Sequence, residues 1–301
     1  MSNAIALGPR DRALFGLLEM TPATAAQIRK ASVTFPGEPF RDERRTRERL
    51  HTLFDGGFVA SQSSAILGGG AVHLYRLTRA GFRALHPENE SAAVRFSPSD
   101  VAPSRLAHAL ATADAIVHTL VAAHATHTRL VQVHGDGRLI LAAGEYRQVP
   151  DCHFQFERGG KLFNLLFEID NATEPLDSLR EQSIRTKVLG YETYQDWVLR
   201  AWRSREPKGP RPAFRVVFLT RSQERARHIL WLAGSLARNP DRRLCYAGTQ
   251  DEYLAEPHVL TSPILNDHHG HWRSLVDLHP TASSTRTPIR LSPPVAPRRG
   301  V

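Results

Sequence analysis

Apolar residues recur at helical spacing through the first third of the chain, then give way to alternating and continuous apolar runs. Leu14, Leu17 and Leu18 share one face of a helix predicted over residues 10–20. Thr21-Pro22 interrupts it, and Thr24 followed by Gln27 has the spacing of a capping box opening a short helix through Ala31. After the Pro36-Gly37 turn and Pro39, Thr46, Leu50, Leu53 and Phe54 form the inward stripe of a third helix, Arg41 to Asp55, with Gly56-Gly57 as its stop. Projected at 3.6 residues per turn, Arg41, Arg44, Arg45, Glu48 and Thr52 fall on the opposite face, and Arg47 and Arg49 flank the stripe. Strands are predicted at residues 58–60 and 73–77, joined through Gly68, Gly69 and Gly70, and Thr78 then caps a helix carrying Phe82 and Leu85.

Residues 88–103 hold prolines and serines without periodicity and read as a linker between a front domain, 8–87, and a second domain, 104–280. A long helix is expected from Ser104 to Ala125, followed by strands near 129–134 and 138–142. Val149-Pro150-Asp151 opens a strand through Phe156, Lys161 to Asp170 is another, and the Gly159-Gly160 pair joins them as a two-residue hairpin. Pairing Arg158 with Lys161 sets His153 opposite Leu166 and Asp151 opposite Glu168, with Asp170 two residues further on the same face. Opposed carboxylates repel unless a shared proton, a basic partner or a divalent cation compensates. A hard cation such as Mg²⁺ takes one or two protein carboxylates and completes its shell with water and phosphate, so Asp151 and Glu168 are the candidate metal ligands. Downstream come a helix from Leu176 to Trp197, with Leu179, Ile184, Val188 and Tyr191 inward and Arg180, Arg185 and Lys187 available to phosphate, and then a strand at 214–219. A helix from Ser222 to Leu236 and a strand from Leu244 to Ala247 follow. The last segment, 281–301, is rich in Ser, Thr, Pro and Arg and is expected to be disordered.

Charge sharpens this picture. The 301 residues carry a formal net charge of +9, nearly all of the excess from arginine, which favours a polyanionic partner. Hydrophobic content of 41% and charged content of 23% fit a soluble globular chain. No apolar run reads as a membrane span, and Met1 to Ala6 lacks the pattern of a signal peptide. Cys152 and Cys245 match no zinc or redox spacing, so a reducing cytoplasm is expected. The groups His268, His269, His271 and His118, His124, His127 read as solvated or capping residues rather than metal ligands.

Three helices, a two-stranded wing and a closing helix make the winged helix-turn-helix plan, whose third helix enters the major groove. On that plan Arg41, Arg44, Arg45, Arg47, Arg49 and Thr52 are the candidate DNA-binding residues. Pro150-Asp151, Glu168-Ile169-Asp170 and a following helix with Lys187 and Tyr191 resemble the Pro-Asp…(Asp/Glu)-x-Lys pattern of restriction-endonuclease-like folds. Asp170 stands where that pattern has lysine. The whole layout, including Leu74 to Gly81, Phe214 to Val217 and Trp272, resembles the replication-relaxation family of plasmids and mobile elements. The resemblance implies an α+β chain, a winged helix followed by an α/β restriction-endonuclease-like domain, that binds double-stranded DNA in plasmid replication, copy control or mobilisation. Replication or mobilisation proteins and a second copy of the chain are its expected partners, and a membrane is not. Two other uses stay open: a Mg²⁺-dependent nuclease or nickase with Asp151, Glu168, Asp170 and Lys187 as its catalytic set, and a dimeric transcription regulator pairing through the strand at 244–247.

Overall fold

The computed structural model describes residues 5–65, 70–89, 96, 100–135, 137–172, 174–178, 183–204, 212–276 and 287–291. They form two compact units, Met1–Ala125 and Thr126–Val301.

The first unit follows the expected order of elements. Helices α1 (Pro9–Met20), α2 (Ala25–Ala31) and α3 (Glu43–Asp55) precede a hairpin of β1 (Val59–Ala65) and β2 (Ala71–Leu77), and α4 (Arg79–Leu85) closes it. Thr24 and Gln27 form the reciprocal cap of α2, Thr24 Oγ1 accepting from Gln27 N at 3.2 Å and Gln27 Oε1 accepting from Thr24 N at 2.9 Å. Asp42 caps α3, so that helix begins two residues later than expected. Leu14, Leu17, Leu18, Ile28, Leu50 and Leu53 are buried as the apolar stripes require, whereas Phe54, expected inward, is 48% exposed. The hairpin strands run longer than the sequence indicated, from Val59↔Leu77 to Ala65↔Ala71. Main-chain hydrogen bonds in both directions between Ala23 and Tyr75 give the sheet a third partner. Of the expected glycine loop, Gly68 and Gly69 lie outside the described residues; Gly70 has a φ of +92°, the left-handed conformation glycine tolerates.

Two expectations about the boundary are corrected. The long helix, α5 (Leu106–Ala125), belongs to the first unit, where Gln27 Nε2 donates to Leu110 O at 3.1 Å and to Asp114 Oδ1 at 2.8 Å. The described part of the expected linker is pinned rather than free: Gln62 exchanges two hydrogen bonds with the Val101 main chain, Arg76 pairs with Asp100, and Phe96 stacks on Phe82. By length and composition the 23 residues Pro103–Ala125 pass as a membrane span, contrary to the sequence reading. Its buried Thr112, His118 and Thr119, and its packing on α2, are the features of a core helix.

The second unit is built on a seven-stranded sheet in the order β11-β10-β9-β8-β7-β6-β3. Its strands are β3 (Arg129–His134), β6 (Cys152–Arg158), β7 (Lys161–Asp170), β8 (Arg215–Thr220), β9 (Cys245–Thr249), β10 (Leu265–Asp267) and β11 (Trp272–Arg273), with β4 (Leu141–Ala143) and β5 (Tyr146–Gln148) forming a separate ribbon. The β6–β7 hairpin has the expected register, Arg158↔Lys161 and His153↔Leu166. β7, β8 and β9 are parallel, which requires crossovers, supplied by α6 (Ile184–Ser204) and α7 (Gln223–Leu236). Both helices pack on one face, where Leu166, Ile184, Val188, Tyr191, Phe218 and Ile229 share a core. Phe154, Phe167 and Tyr253 of α8 (Gln250–Ala255) make edge-to-face contacts within the unit as well.

The strand at 244–247 is an interior one, buried between β8 and β10, and offers no free edge for pairing with a second chain. His118 and His268 are buried, against the solvated reading of their groups. The expected tail is described only over 287–291, and there it is docked: Ile289 N donates to Gly270 O at 2.9 Å and Trp272 Nε1 to Thr287 O at 3.1 Å. Leu179 and Arg180 lie outside the described residues.

Closure of the first unit depends on a glycine. A Cβ on Gly81 would meet Phe58 O at 2.3 Å and Leu77 Cδ1 at 2.5 Å. Helix propensity favours alanine over glycine by about 1 kcal/mol, but overpacking against main chain costs about 1–3 kcal/mol. Gly81→Ala is therefore expected to lower the thermal midpoint of the first unit, measured by circular dichroism.

Candidate functional site

The two candidate sites differ in what their charges touch. On α3, Arg44, Arg45, Arg47 and Thr52 are exposed, and Arg41, expected on the helix, is exposed just ahead of its Asp42 cap. Arg44 and Arg45 reach Glu48 and Arg47 reaches Glu43, all within the helix. Exposed pairs of this kind are worth about 0.5 kcal/mol or less, so a phosphate replaces the carboxylate at little cost. Arg49 is different. It makes a two-pronged contact with Asp11 of α1, Nε to Oδ1 at 2.8 Å and Nη2 to Oδ2 at 2.6 Å. Burial opposes the Asp11 charge, but Arg49 and the Gly8 amide outweigh it and hold that carboxyl below its usual range. Arg49 thus fastens α3 to α1, while its neighbours form the open face.

The second site lies where β6 begins and β7 ends. Strand pairing stops at Cys152↔Phe167, and Asp151 turns out of the ladder. Its amide donates to Phe167 O at 2.9 Å, and its Oδ2 accepts from Ile169 N at 2.6 Å. The expected residue-against-residue opposition of Asp151 and Glu168 is therefore replaced by a carboxylate that caps the neighbouring strand, because a side-chain oxygen has taken the place of a main-chain acceptor.

Glu168 is 2% exposed and faces α6. Lys187 Nζ donates to Glu168 Oε2 at 2.8 Å, and Tyr191 OH donates to Glu168 Oε1. The i, i+4 spacing of Lys187 and Tyr191 sets both on the helix face that meets the sheet. Burial raises the Glu168 carboxyl to about 7; Lys187 pulls it down and the Asp151 charge pushes it up. Burial works against the Lys187 charge too, but Glu168, Glu174 and Asp151 outweigh it and raise that pKa. Tyr191 is held un-ionised by burial and by the carboxylate it serves.

Asp170, a member of the catalytic set in the nuclease reading, is occupied elsewhere. Arg225, in the first turn of α7, grips both its oxygens at 2.7 and 3.1 Å and also donates to Glu174 O at 2.6 Å. Lys187 returns to Glu174 Oε1 at 2.8 Å, so the acidic residues 168, 170 and 174 and the two cations 187 and 225 make one network, with the Asp151 charge acting on it from beside Glu168. Glu174 Oε2 is buried and has no hydrogen-bond partner among the described residues. Glu174 and Arg225 were missed from sequence, since one sits in a loop without a motif and the other reads as a helix-surface arginine.

This donor set does not fit Mg²⁺ as it stands. Both oxygens of Glu168 and one of Asp151 accept hydrogen bonds from protein donors, and a lysine ammonium stands where the ion would sit. Among the described residues no group of three His, Cys, Asp or Glu is placed to hold a metal ion. The chemistry of the arrangement is that of a buried, neutralised charge cluster.

Removing one partner of such a pair strands a buried charge, at a cost of about 3–5 kcal/mol unless the survivor neutralises itself. In Lys187→Met, Glu168 escapes by taking a proton, and its raised folded pKa means stability falls as pH rises from the unfolded carboxylate value. The loss in denaturant unfolding is expected to be larger at pH 8 than at pH 5.5. Equal losses at both would show that Glu168 carries no charge in the parent fold.

Comparison with curated proteins returns no match, and neither does comparison with solved structures. A family model described as replication-relaxation matches residues 15–206, which span α1 through α6 and hold both the open arginine face and the buried carboxylate cluster. The chain belongs to the replication-relaxation family, which associates it with the replication or relaxation of mobile elements.

Proposed function

We propose that the chain is a double-stranded DNA-binding protein acting in replication, copy control or mobilisation of a plasmid or other mobile element, through a winged helix formed by its first unit. The observation that carries this reading is the exposed row Arg44, Arg45 and Arg47 on the third helix, with exposed Arg41 just ahead of its cap and the β1–β2 hairpin following it in the chain. Guanidinium groups at that position reach base edges and phosphates when the helix lies in a major groove, and the hairpin follows the backbone. Arg49 is excluded from this set because it holds α1. The net charge of +9 adds a sequence-independent attraction to the duplex.

The second unit, read as a restriction-endonuclease-like domain, acts here as a binding and assembly platform. Its order of hairpin, helix and parallel strand supports that fold reading, and its self-satisfied carboxylates support the absence of cutting. A nuclease reading draws on two observations: the Asp151 charge acts on the Glu168–Lys187 pair, and Glu174 keeps one oxygen without a partner among the described residues. Cutting would require Lys187 and Tyr191 to release Glu168 first.

Fluorescence anisotropy with duplexes from the element's own origin tests the binding. The Arg41/Arg44/Arg45→Ala variant is expected to bind about tenfold or more weakly, and its salt slope should fall by about one for each phosphate contact removed. Unchanged affinity refutes the assignment of α3. Incubation of supercoiled element DNA with the protein and Mg²⁺ is expected to leave the DNA intact; nicking that disappears in Asp151→Ala would establish the nuclease.

A further inference from the structure

At the end of the sheet away from Glu168, about 23 Å along β7 at 3.3 Å per residue, five cations border one open cleft. Lys161 comes from the β6–β7 turn, Arg215 from the start of β8, Arg242 and Arg243 from the loop before β9, and Arg273 from β11. The cleft measures about 860 Å³, and among the described residues that line it Asp241 is the single carboxylate and these five are the cations. This lies within the size range of small-molecule sites.

The cations are not equivalent. Arg242 is matched by Glu192 and Asp196, and Arg273 by Asp267. Arg215 instead donates to the Leu275 carbonyl, with its guanidinium 5.5 Å from the ring centres of both Phe163 and Tyr246. A guanidinium held between aromatic faces without a carboxylate is well placed for a planar, two-pronged contact with phosphate. Arg243 is exposed at the rim, and Lys161 is exposed on the turn opposite.

A smaller cavity of about 210 Å³ shares Asn164, Pro212, Ala213 and Phe214 with the cleft as a common wall. Leu139, Leu166 and Tyr194 make it largely apolar, and the Asn164 amide in its wall is satisfied within the fold, accepting from Gln155 Nε2 at 2.8 Å and donating to Ala213 O at 3.0 Å. Burial lowers the His153 pKa to about 4, so at neutral pH its ring is uncharged, and its Nδ1 is already taken by His134 Nδ1 at 3.1 Å. A basic cleft bordering an apolar recess has the character of the two halves of a nucleotide, charged phosphate and apolar base face.

We propose that the second unit carries a nucleotide site here, with phosphates at Arg215, Arg243 and Lys161 and a base in the apolar recess against Tyr194. The nucleotide is either a free one or part of an unpaired nucleic-acid strand. This site is independent of the α3 face.

The test is anisotropy of mant-ADP and of a fluorescein-labelled twelve-residue oligothymidine with the full chain at low salt. Lys161→Glu/Arg243→Glu alters exposed side chains only and should keep the parent melting temperature, while losing about tenfold or more in affinity for at least one probe. Arg41/Arg44/Arg45→Ala should bind that probe within about twofold of the parent. Binding of mant-ADP identifies a free nucleotide as the ligand, and binding of the oligonucleotide alone identifies a strand. The proposal is overturned if neither probe binds below about 1 mM, if the cleft variant binds like the parent, or if only the α3 variant loses binding. Should the double variant melt early, Arg243→Gln alone replaces it, with a threefold loss as the smallest supporting result.

Discussion

A carboxylate sealed from water must either find donors or lose its charge, and Glu168 imposes that condition on the second unit. It sits on β7, in the middle of a seven-stranded sheet, where β7 pairs with antiparallel β6 on one side and parallel β8 on the other. Satisfying it fixes the face of α6 that turns inward, because only Lys187 and Tyr191, one turn apart, bring a cation and a hydroxyl to its two oxygens. The second link, Lys187 to Glu174, holds the loop after β7, and Arg225 ties that loop and Asp170 to α7. Hairpin, loop and both crossover helices are thereby joined through charges rather than through apolar contacts alone. Such a network contributes less to stability than its number of bonds suggests, since desolvation offsets most of the attraction. Its effect is on which arrangement of helices over the sheet is acceptable.

The first unit distributes its charges the opposite way. Asp11 and Arg49 are a structural pair across two helices, while the remaining arginines of α3 are satisfied only by exposed neighbours on the same helix. The distinction follows from position. Arg49 flanks the apolar stripe and reaches α1, whereas Arg41, Arg44 and Arg45 project away from it. An arginine-rich helix is therefore two things at once, a bolt on one edge and an interchangeable ionic surface on the other. On the proposed function, this second part is what meets the polyanion.

Much of this was legible in the chain. The 3.6-residue stripes placed α1 to α3, the Thr24/Gln27 box placed the start of α2, and the Gly159-Gly160 pair set the β6–β7 register to the residue. What sequence did not reveal was non-local. Phe54 continues the apolar pattern yet is exposed, and α5 reads as the start of a second domain yet packs on α2 through Gln27. The carboxylates at 151, 168 and 170 were found as a group because hairpin arithmetic is local, but their partners Glu174 and Arg225 come from a loop and a distant helix. Opposed acids therefore suggested a metal, where the structure supplies lysine, tyrosine and arginine. The docking of residues 287–291 on the β10–β11 turn was equally invisible, since a Pro- and Ser-rich composition says nothing of main-chain hydrogen bonds.

On the proposed function, the chain holds duplex DNA with the outer face of α3 while its buried carboxylates serve its own fold. Amide hydrogen exchange of the full chain, with and without a duplex from its own mobile element, measures both halves together. The account predicts slowed exchange in residues 41–55 and in the β1–β2 hairpin, with residues 166–172 and 184–191 unchanged in the presence of Mg²⁺. Slowed exchange confined to those second-unit segments, with α3 unaffected, would contradict it.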